Sequence, residues 1–293
     1  MKLPLTKLQM MKTSNNAYSW IYDIKGNEGS LFFILGMCAL EGEEIALRHA
    51  DFLKKLSVKM GFKLIFKAAF DKANRLSING GRGIGLDASL AIFEKIRREF
   101  EVPVITDVHE TSQVWQVADV VDVLQIPAML CRQTDLVVAA AETGKPVHLK
   151  KGQFLAPDNM PSIVQKAAAT GNNNIWLCER GTTFGYHDLV VDYRNFAIMK
   201  ETGYPVVFDV THAVQRPGAM GTSTGGDRRL VPPLAVSAVA QGIAGIFMEV
   251  HECPEKAVSD GPNSIRLSDL EVLIGYLQHL DYFTKERQIP ACP

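Results

Sequence analysis

The sequence of 293 residues has few cysteines, no long apolar run and almost no net charge. Its five cysteines include no C-x-x-C pair, which argues against a disulfide framework and favours a reducing compartment. No apolar stretch approaches the roughly 20 residues that a membrane helix needs, and residues 1–30 lack the apolar core of a secretory signal. A net charge of −1 provides no general attraction to nucleic acid or to an anionic membrane. These absences predict a cytoplasmic protein whose anion sites must arise from local clusters.

A short apolar run followed by a longer amphipathic stretch recurs along the chain. Several runs are too continuously apolar for a strand with one wet face, which is typical of parallel strands buried on both faces. The predicted strands are 31–37, 63–67, 102–107, 121–126, 146–150, 175–179, 205–210 and 243–249. This alternation predicts an α/β fold, a single (β/α)8 TIM barrel, with a doubly wound open sheet as the alternative. We expect a short N-terminal extension over 1–30, the catalytic barrel over 31–285 and a C-terminal tail over 286–293.

Polar residues stand at the C-terminal end of nearly every predicted strand. They are Cys38, Lys67, Asp107, Gln125, Lys150, Glu179 with Arg180, Asp209 with His212, and Glu249. In a barrel all eight strand ends open into one mouth, where enzymes of this fold have their active sites. Solvated strand ends are the simpler explanation, but they would scatter polar residues without a preferred type. The pattern therefore predicts a functional site at the mouth.

Four cations form the first group of candidate site residues. Lys67, Lys150 and Arg180 stand at strand ends, and Lys72 lies in the loop after the second strand. Converging cations suit a small ligand with phosphate or carboxylate groups, because charge-assisted hydrogen bonds are strong and arginine can bind an oxyanion through two nitrogens. Each lysine taken alone could be a rim residue, but together they predict an anion site.

A thiol, an imidazole and two carboxyl groups form the second group. Its members are Cys38, His212, Glu249 and Asp260. Such donors can hold a divalent ion such as Zn²⁺, Fe²⁺ or Mn²⁺, and their strand regions become neighbours when a barrel closes. The residues alone leave open a buried cysteine, a hydrogen-bonded histidine and carboxylates that pair with the cations. They also leave open other ligands, namely His109, His251 and Cys253.

Several longer motifs resemble those of one enzyme family. They are FKAAFDKANR (66–75), ITDVHE (105–110), QIPAMLCRQTDL (125–136), KKGQFLAP (150–157), CERGTTFGY (178–186), FDVTHAVQ (208–215) and FMEVHECPEKAVSDGPN (247–263). From about residue 31 to about residue 280 the chain is similar to the 3-deoxy-D-manno-octulosonate 8-phosphate synthases. The resemblance implies a cytoplasmic homotetrameric barrel that condenses phosphoenolpyruvate with D-arabinose 5-phosphate and water in lipopolysaccharide precursor biosynthesis. It implies no nucleic-acid or membrane partner.

The resemblance also implies roles for individual residues. Phosphoenolpyruvate would be bound by Lys67, Lys72, Gln125, Lys150 and Arg180. Asn74 and Arg75 would contact the pentose phosphate, with Arg75 reaching across a subunit interface, and Gln153 and Phe184 would line the mouth. The residues expected to take part in catalysis are Lys72, Asp107, Lys150, His212 and Asp260.

A cysteine at position 38 marks the metal-dependent branch of the family, whose other branch has asparagine there. The resemblance therefore implies a divalent metal ion as cofactor. Its ligands would be Cys38, His212, Glu249 and Asp260.

Two positions near the KANR motif depart from the family pattern, and the first strand ends in LGMC where the metal-dependent branch commonly has AGPC. Ala69 replaces a serine and Leu76 replaces a serine or threonine, and the resemblance assigns both hydroxyls to substrate contacts. Since a neutral hydrogen bond contributes about 0.5–1.5 kcal/mol, we expect weaker aldose binding. The alternatives are a 3-deoxy-D-arabino-heptulosonate 7-phosphate synthase that uses erythrose 4-phosphate, and a non-catalytic barrel that binds a sugar phosphate. The KANR motif counts against the first, and the retained cations count against the second.

Overall fold

The computed structural model describes residues 18–75, 77–219 and 224–287, and within them eight parallel strands close into a barrel. Neighbours in the chain pair with one another, and the last barrel strand pairs with the first, from Phe32 opposite Gly245 to Gly36 opposite Glu249. With strands numbered along the chain, the barrel consists of β1 (Phe32–Ala39), β2 (Lys63–Ala69), β3 (Val104–Asp107), β4 (Val123–Ile126), β5 (Val147–Lys150), β6 (Ile175–Glu179), β9 (Val206–Asp209) and β12 (Gly245–His251). The predicted single barrel is confirmed, and each barrel strand overlaps its predicted run.

Helices cover the outside of the barrel, and short strands lie in the loops at its mouth. The helices are α1 (Glu43–Met60), α2 (Leu86–Phe100), α3 (Thr111–Val120), α4 (Thr134–Glu142), α5 (Met160–Ala168), α6 (Arg194–Lys200), α7 (Val210–Ala213), α8 (Val231–Val239) and α9 (Leu270–Glu286). The short strands are β7 (Thr182–Gly185), β8 (Asp188–Val190), β10 (Gln215–Arg216), β11 (Gly225–Gly226) and β13 (Ile265–Arg266). In the described ranges no helix combines the length and apolarity needed to cross a membrane.

Two layers of side chains fill the barrel. The lower layer, here called the apolar floor, consists of Phe32, Ile34, Ile65, Ile105, Val123, Trp176, Cys178, Val207 and Phe247. Because every second side chain of a strand points to the same face, the next inward positions are two residues further on. On five strands that position carries a polar group, and Lys150 follows the buried His148 in the same way. Together these residues are here called the charged mouth: Lys67, Asp107, Gln125, Lys150, Asp209 and Glu249.

The described part of the N-terminal extension packs beneath the apolar floor. Residues 19–22 form a short 3-10 turn, and Ile21 on this turn is fully buried against the floor. The Asn27 side chain accepts a hydrogen bond from the Val206 amide at 2.8 Å and donates one to the Tyr204 carbonyl at 3.2 Å. Residues 18–30 therefore close the bottom of the barrel. The remainder of the predicted extension and residues 288–293 of the predicted tail lie outside the described residues.

Candidate active site

A cavity of about 560 Å³ opens at the C-terminal ends of the barrel strands. Eleven residues predicted for the site line it, namely Lys67, Lys72, Asn74, Arg75, Asp107, Gln125, Lys150, Gln153, Arg180, His212 and Asp260. Cys38 and Glu249 are buried and lie within hydrogen-bonding distance of lining residues. Closure of the barrel thus brings residues far apart in sequence to one place.

Phe184 is a predicted site residue that is exposed and does not line this cavity. It lies on β7 of the β7–β8 hairpin and is 71% exposed. A neighbour on the same hairpin, His187, does line the cavity, as does Gln215 on β10. Sequence reasoning assigned neither residue to the site. The only signal for Gln215 was its place at the end of the FDVTHAVQ motif.

The cations of the mouth are buried and close to carboxylates. Lys67 Nζ lies 3.1 Å from Glu249 Oε1 and 3.9 Å from Asp107 Oδ2. Lys150 Nζ donates to Asp209 Oδ2 at 2.5 Å. Each contact offsets part of the cost of burying the charge, which would be several kcal/mol for an isolated ion.

One terminal guanidinium nitrogen of Arg180 is hydrogen-bonded, and the other has no hydrogen-bond partner. Its Nη2 donates to Gln215 Oε1 at 3.0 Å, whereas its buried Nη1 has no hydrogen-bond partner. Buried polar atoms in native proteins nearly always have a partner. An unpaired guanidinium nitrogen on a residue that lines the cavity therefore indicates a place for an oxyanion.

Glycine at position 36 permits the close approach of β1 to β2 at the mouth. A Cβ atom there would lie 1.9 Å from the Lys67 carbonyl oxygen, so any side chain would force the strands apart. The pairing is irregular between Gly36 and Ala39. As a result the Cys38 carbonyl accepts a hydrogen bond from Lys67 Nζ at 3.1 Å, which joins the two predicted groups of residues.

A hydrogen-bond chain fixes the orientation of the Gln125 amide. Gln125 Nε2 donates to Asp107 Oδ1 at 2.6 Å, and Gln125 Oε1 lies 2.9 Å from His148 Nδ1. Burial, together with the charge of Lys150, lowers the pKa of His148 to about 3. The imidazole is therefore neutral at physiological pH, and Nδ1 carries the proton that it donates to Gln125.

Asp209 orients His212 through two contacts. Asp209 caps the short helix α7 by accepting the His212 amide at Oδ1, 3.0 Å away, and its Oδ2 lies 2.7 Å from His212 Nδ1. Burial alone would raise the pKa of Asp209, but the charges of His212 and Lys150 outweigh it and hold that pKa well below its usual value. Since Nδ1 faces this carboxylate, Nε2 points toward Glu249 at 3.5 Å and Asp260 at 3.8 Å.

Three of the four predicted metal ligands form one cluster, and His212 Nε2 lies beside two of them. One ligand atom each from Cys38, Glu249 and Asp260 lie within 4.8 Å of one another, and Cys38 Sγ is 3.0 Å from Asp260 Oδ2. One observation fits a cation among them, and a second shows what its binding must overcome. Glu249 Oε2 is buried without a hydrogen-bond partner, and burial beside the two carboxylates raises the pKa of the Cys38 thiol well above its usual value. A thiol in such surroundings ionises only when a positive charge binds beside it.

The other candidate ligands lie elsewhere in the described residues. His251 Nε2 faces Glu41 Oε2 at 3.5 Å, and His251 Nδ1 accepts a hydrogen bond from the Cys253 amide at 3.0 Å. The Cys253 thiol faces Glu255 at 3.7 Å. His109 lines the cavity and packs edge-on against Phe70.

Arg75 and Ala69 are two positions that the resemblance connects with the aldose. Arg75 Nη1 donates to Ser259 Oγ of the same chain at 2.8 Å, and Arg75 lines the cavity of its own barrel. Ala69 is fully buried, and its side chain does not line the cavity. Ala69 stands two positions after Lys67 on the same strand. Leu76 lies outside the described residues.

The closed barrel and the buried charges at its C-terminal mouth define the class of protein, a (β/α)8-barrel enzyme. The chain belongs to the DAHP synthetase I family, whose model matches residues 10–286. It is 56% identical over 261 residues to a 2-dehydro-3-deoxyphosphooctonate aldolase of Magnetococcus marinus, which covers 89% of this chain and 91% of that protein.

Two further relatives carry the same name. The protein of Trichlorobacter lovleyi is 57% identical over 251 residues, which covers 86% of this chain and 92% of the relative. The protein of Francisella tularensis is 49% identical over 262 residues, which covers 89% of this chain and 95% of the relative. The name denotes the 3-deoxy-D-manno-octulosonate 8-phosphate synthases, so the resemblance seen in the motifs is confirmed.

Proposed function

We propose that the protein condenses phosphoenolpyruvate with D-arabinose 5-phosphate and water, which yields 3-deoxy-D-manno-octulosonate 8-phosphate and inorganic phosphate. The observation that carries the proposal is the set of buried cations around one cavity, with Arg180 Nη1 left without a partner. The relatives named above support the same reaction by their names. The product would serve lipopolysaccharide precursor biosynthesis.

The cations orient phosphoenolpyruvate and balance its charge. We assign its phosphate and carboxylate to Lys67, Lys72, Lys150 and Arg180, with Gln125 held beside them by its hydrogen-bond chain. C3 of phosphoenolpyruvate attacks the aldehyde carbon, water adds at C2, and phosphate leaves when its C–O bond to C2 breaks. Because the reacting groups are held in place and the leaving charge is matched in advance, most of the acceleration comes from orientation and electrostatic stabilisation.

The pentose phosphate would occupy the outer part of the cavity. We assign its contacts to Asn74, Arg75 and Gln153, which line the cavity. Phe184 is exposed near the rim and would contact the aldose when it enters. Asp107 is held deprotonated, because the charges of Lys67 and Lys150 outweigh its burial and lower its pKa. We therefore assign to Asp107 a role in accepting hydrogen bonds from water or from the aldose.

Four residues would hold a divalent metal ion, namely Cys38, His212, Glu249 and Asp260. The partnerless Glu249 Oε2 and the 3.0 Å approach of Cys38 Sγ to Asp260 Oδ2 support this set. When bound, such an ion polarises an oxygen atom or lowers the pKa of a bound water. Asp209 keeps His212 Nε2 directed at the two carboxylates, and Lys72 Nζ stays within 3.5 Å of Glu249 and 3.7 Å of Asp260.

Phosphate release from phosphoenolpyruvate tests the reaction, measured with arabinose 5-phosphate and, separately, with erythrose 4-phosphate. We expect release with the pentose and at least tenfold slower release with the tetrose. Faster release with erythrose 4-phosphate would instead favour the heptulosonate synthase. Binding of both substrates without release would favour a non-catalytic barrel.

Chelation tests the metal. We expect treatment with a chelator to abolish phosphate release and Mn²⁺ or Zn²⁺ to restore it, whereas Cys38→Ala should bind these ions far more weakly. Full activity of Cys38→Ala in the presence of chelator would refute the metal site.

We propose further that the protein works as a homotetramer in the cytoplasm, as the family resemblance implies. Light scattering should then give a molar mass four times the 32.3 kDa of one chain. A monomeric mass with full activity would contradict the proposed assembly.

A further inference from the structure

Gln215 makes contacts with both halves of the cavity. Its Oε1 accepts a hydrogen bond from Arg180 Nη2 at 3.0 Å, and its Nε2 donates one to Asp260 Oδ1 at 2.9 Å. The side chain lies on β10, which pairs with β11 through Gln215 and Gly226, and it lines the cavity. One amide group therefore joins a cation of the anion site to a carboxylate of the candidate metal group.

These two contacts decide which atoms of the partners stay available. With Nη2 of Arg180 taken by Gln215, the guanidinium atom left without a partner is Nη1. With Oδ1 of Asp260 taken, the atom left beside the Cys38 thiol and His212 is Oδ2. Gln215 thus occupies Nη2 of Arg180 and Oδ1 of Asp260, and it leaves Nη1 of Arg180 and Oδ2 of Asp260 for the ligands.

Only a side chain with both an acceptor and a donor can make this connection. A glutamate would pair with Arg180 but would set a second carboxylate against Asp260, and a lysine would repel Arg180. An apolar side chain would leave a buried charged group on each side without its hydrogen bond, which is costly. A glutamine amide has the acceptor and the donor that the two neighbours require.

The backbone of Asp260 has an uncommon conformation. Its φ of +54° lies in the left-handed region, which is unfavourable for a residue other than glycine. The carbonyl of Asp260 is held by the Asn263 and Ser264 amides at 3.2 and 3.1 Å. Gln215 adds a contact to the carboxylate itself, which limits the rotation of the side chain.

We propose that Gln215 is a positioning residue that presents Arg180 Nη1 to the phosphoenolpyruvate anion and Asp260 Oδ2 to the divalent metal ion. This inference rests on the proposed function. It predicts that one uncharged substitution weakens the binding of two ligands of opposite charge, even when each ligand is titrated in the absence of the other.

The test uses Gln215→Met, which keeps the length of the side chain and removes its donor and acceptor. Mn²⁺ is titrated into the chelated full-length protein without phosphoenolpyruvate, and free Mn²⁺ is followed by electron paramagnetic resonance. Phosphoenolpyruvate is titrated calorimetrically into the same metal-free protein. We expect both dissociation constants to rise about tenfold, the change that the loss of one hydrogen bond to a charged group produces.

Two other variants complete the design. Gln116→Met is the matched control, because Gln116 is an exposed glutamine that donates to Asp87 at 3.0 Å on the outside of the barrel; it should leave both constants unchanged. Gln215→Glu neutralises Arg180 with a neighbouring carboxylate, so it should weaken phosphoenolpyruvate binding at least as much as Gln215→Met does. If Gln215→Met does not fold, Gln215→Glu decides the matter through this titration.

Each result bears on the proposal. An unchanged constant for either ligand in Gln215→Met would overturn it, because the residue would then act on one half of the cavity or on neither. Wild-type binding of phosphoenolpyruvate by Gln215→Glu would also overturn it. If the wild-type protein bound neither ligand, the proposed function would fail together with the inference, whereas normal wild-type binding with no effect in the variants would remove the inference alone.

Discussion

The apolar floor and the charged mouth lie one layer apart inside the same barrel, yet they differ completely in polarity. On β2 the floor residue Ile65 is followed two positions later by Lys67, and on β12 Phe247 is followed by Glu249. Both layers are buried. Four mouth residues line the cavity and no floor residue does, so the difference in polarity follows from which layer faces a ligand.

The apolar floor stabilises the fold, and the buried charges of the mouth lower that stability. Burying apolar surface stabilises the fold by about 25 cal/mol per Å², whereas buried charges lower stability unless they are paired. Phe247 joins the two layers, since Lys150 Nζ lies 4.0 Å from the centre of its ring. The mouth can thus carry closely spaced charges because an apolar layer directly beneath it holds the strands together.

The largest effect on stability should come from removing a large side chain of the floor. Trp176→Ala removes a fully buried ring, and we expect the free energy of unfolding to fall by about 3–5 kcal/mol. Urea denaturation measures the change. Trp115→Ala is the control, because Trp115 is 52% exposed on α3 and its loss should change stability by about 0.5 kcal/mol or less. Equal losses of unfolding free energy in the two variants would show that a tryptophan buried in the floor stabilises the fold no more than one exposed on the surface.

A substitution in the mouth should lower activity strongly and stability less. Lys150→Met removes a buried cation from the cavity, and we expect kcat/KM for phosphoenolpyruvate to fall about 10²–10³-fold. Asp209 keeps its contact with His212, so the loss of stability should be smaller than in Trp176→Ala. Steady-state kinetics and urea denaturation test both parts. Lys55→Met, on the exposed ion pair with Asp51, should alter neither quantity.

Acid should weaken the mouth and leave the floor untouched. Asp107, Asp209 and Asp260 are buried, but neighbouring cations hold their pKa values below the usual 3.8. A carboxyl group with a lowered folded-state pKa contributes stability that is fully present above its unfolded value and is lost as the pH falls through the folded value. We expect the unfolding free energy of the metal-free protein to fall gently below about pH 6.5, because the unfolded state protonates His148 while the folded state keeps it neutral, and to fall more steeply below about pH 4.

Two variants separate the layers in this pH profile. Asp209→Asn should make the acid limb less steep, because one group with a lowered pKa is gone. Trp176→Ala should shift the whole profile downward without changing its slope. An acid limb as steep in Asp209→Asn as in the wild type would contradict the assignment to Asp209.

The smallest effect should come from Ala69, which lies at the end of β2 but outside the cavity. Ala69→Ser restores the residue typical of the family at a fully buried position whose present side chain does not line the cavity. We expect KM for arabinose 5-phosphate to change less than about twofold, since no substrate hydrogen bond forms. A tenfold fall in KM would show that position 69 does reach the substrate.

The sequence by itself determined the barrel and most of the mouth. Alternation of side chains along a strand and the continuous burial of parallel strands are local properties, so the eight strands could be read from apolar runs and the mouth from the polar residues that end them. This is how Lys67, Asp107 and Lys150 were found. For the candidate metal group the residues alone left alternatives open, and the family motifs selected the four ligands.

The tertiary structure alone decided contacts that no local pattern records. Gln215 and His187 lie on short strands or turns outside the barrel, where neither a period of two nor a strand end marks a functional position. Their places at the cavity depend on how the loops fold over the closed barrel. The same is true of Arg75, which meets Ser259 across 184 positions of sequence. Closure of the barrel sets these distances, and closure is a property of the whole chain.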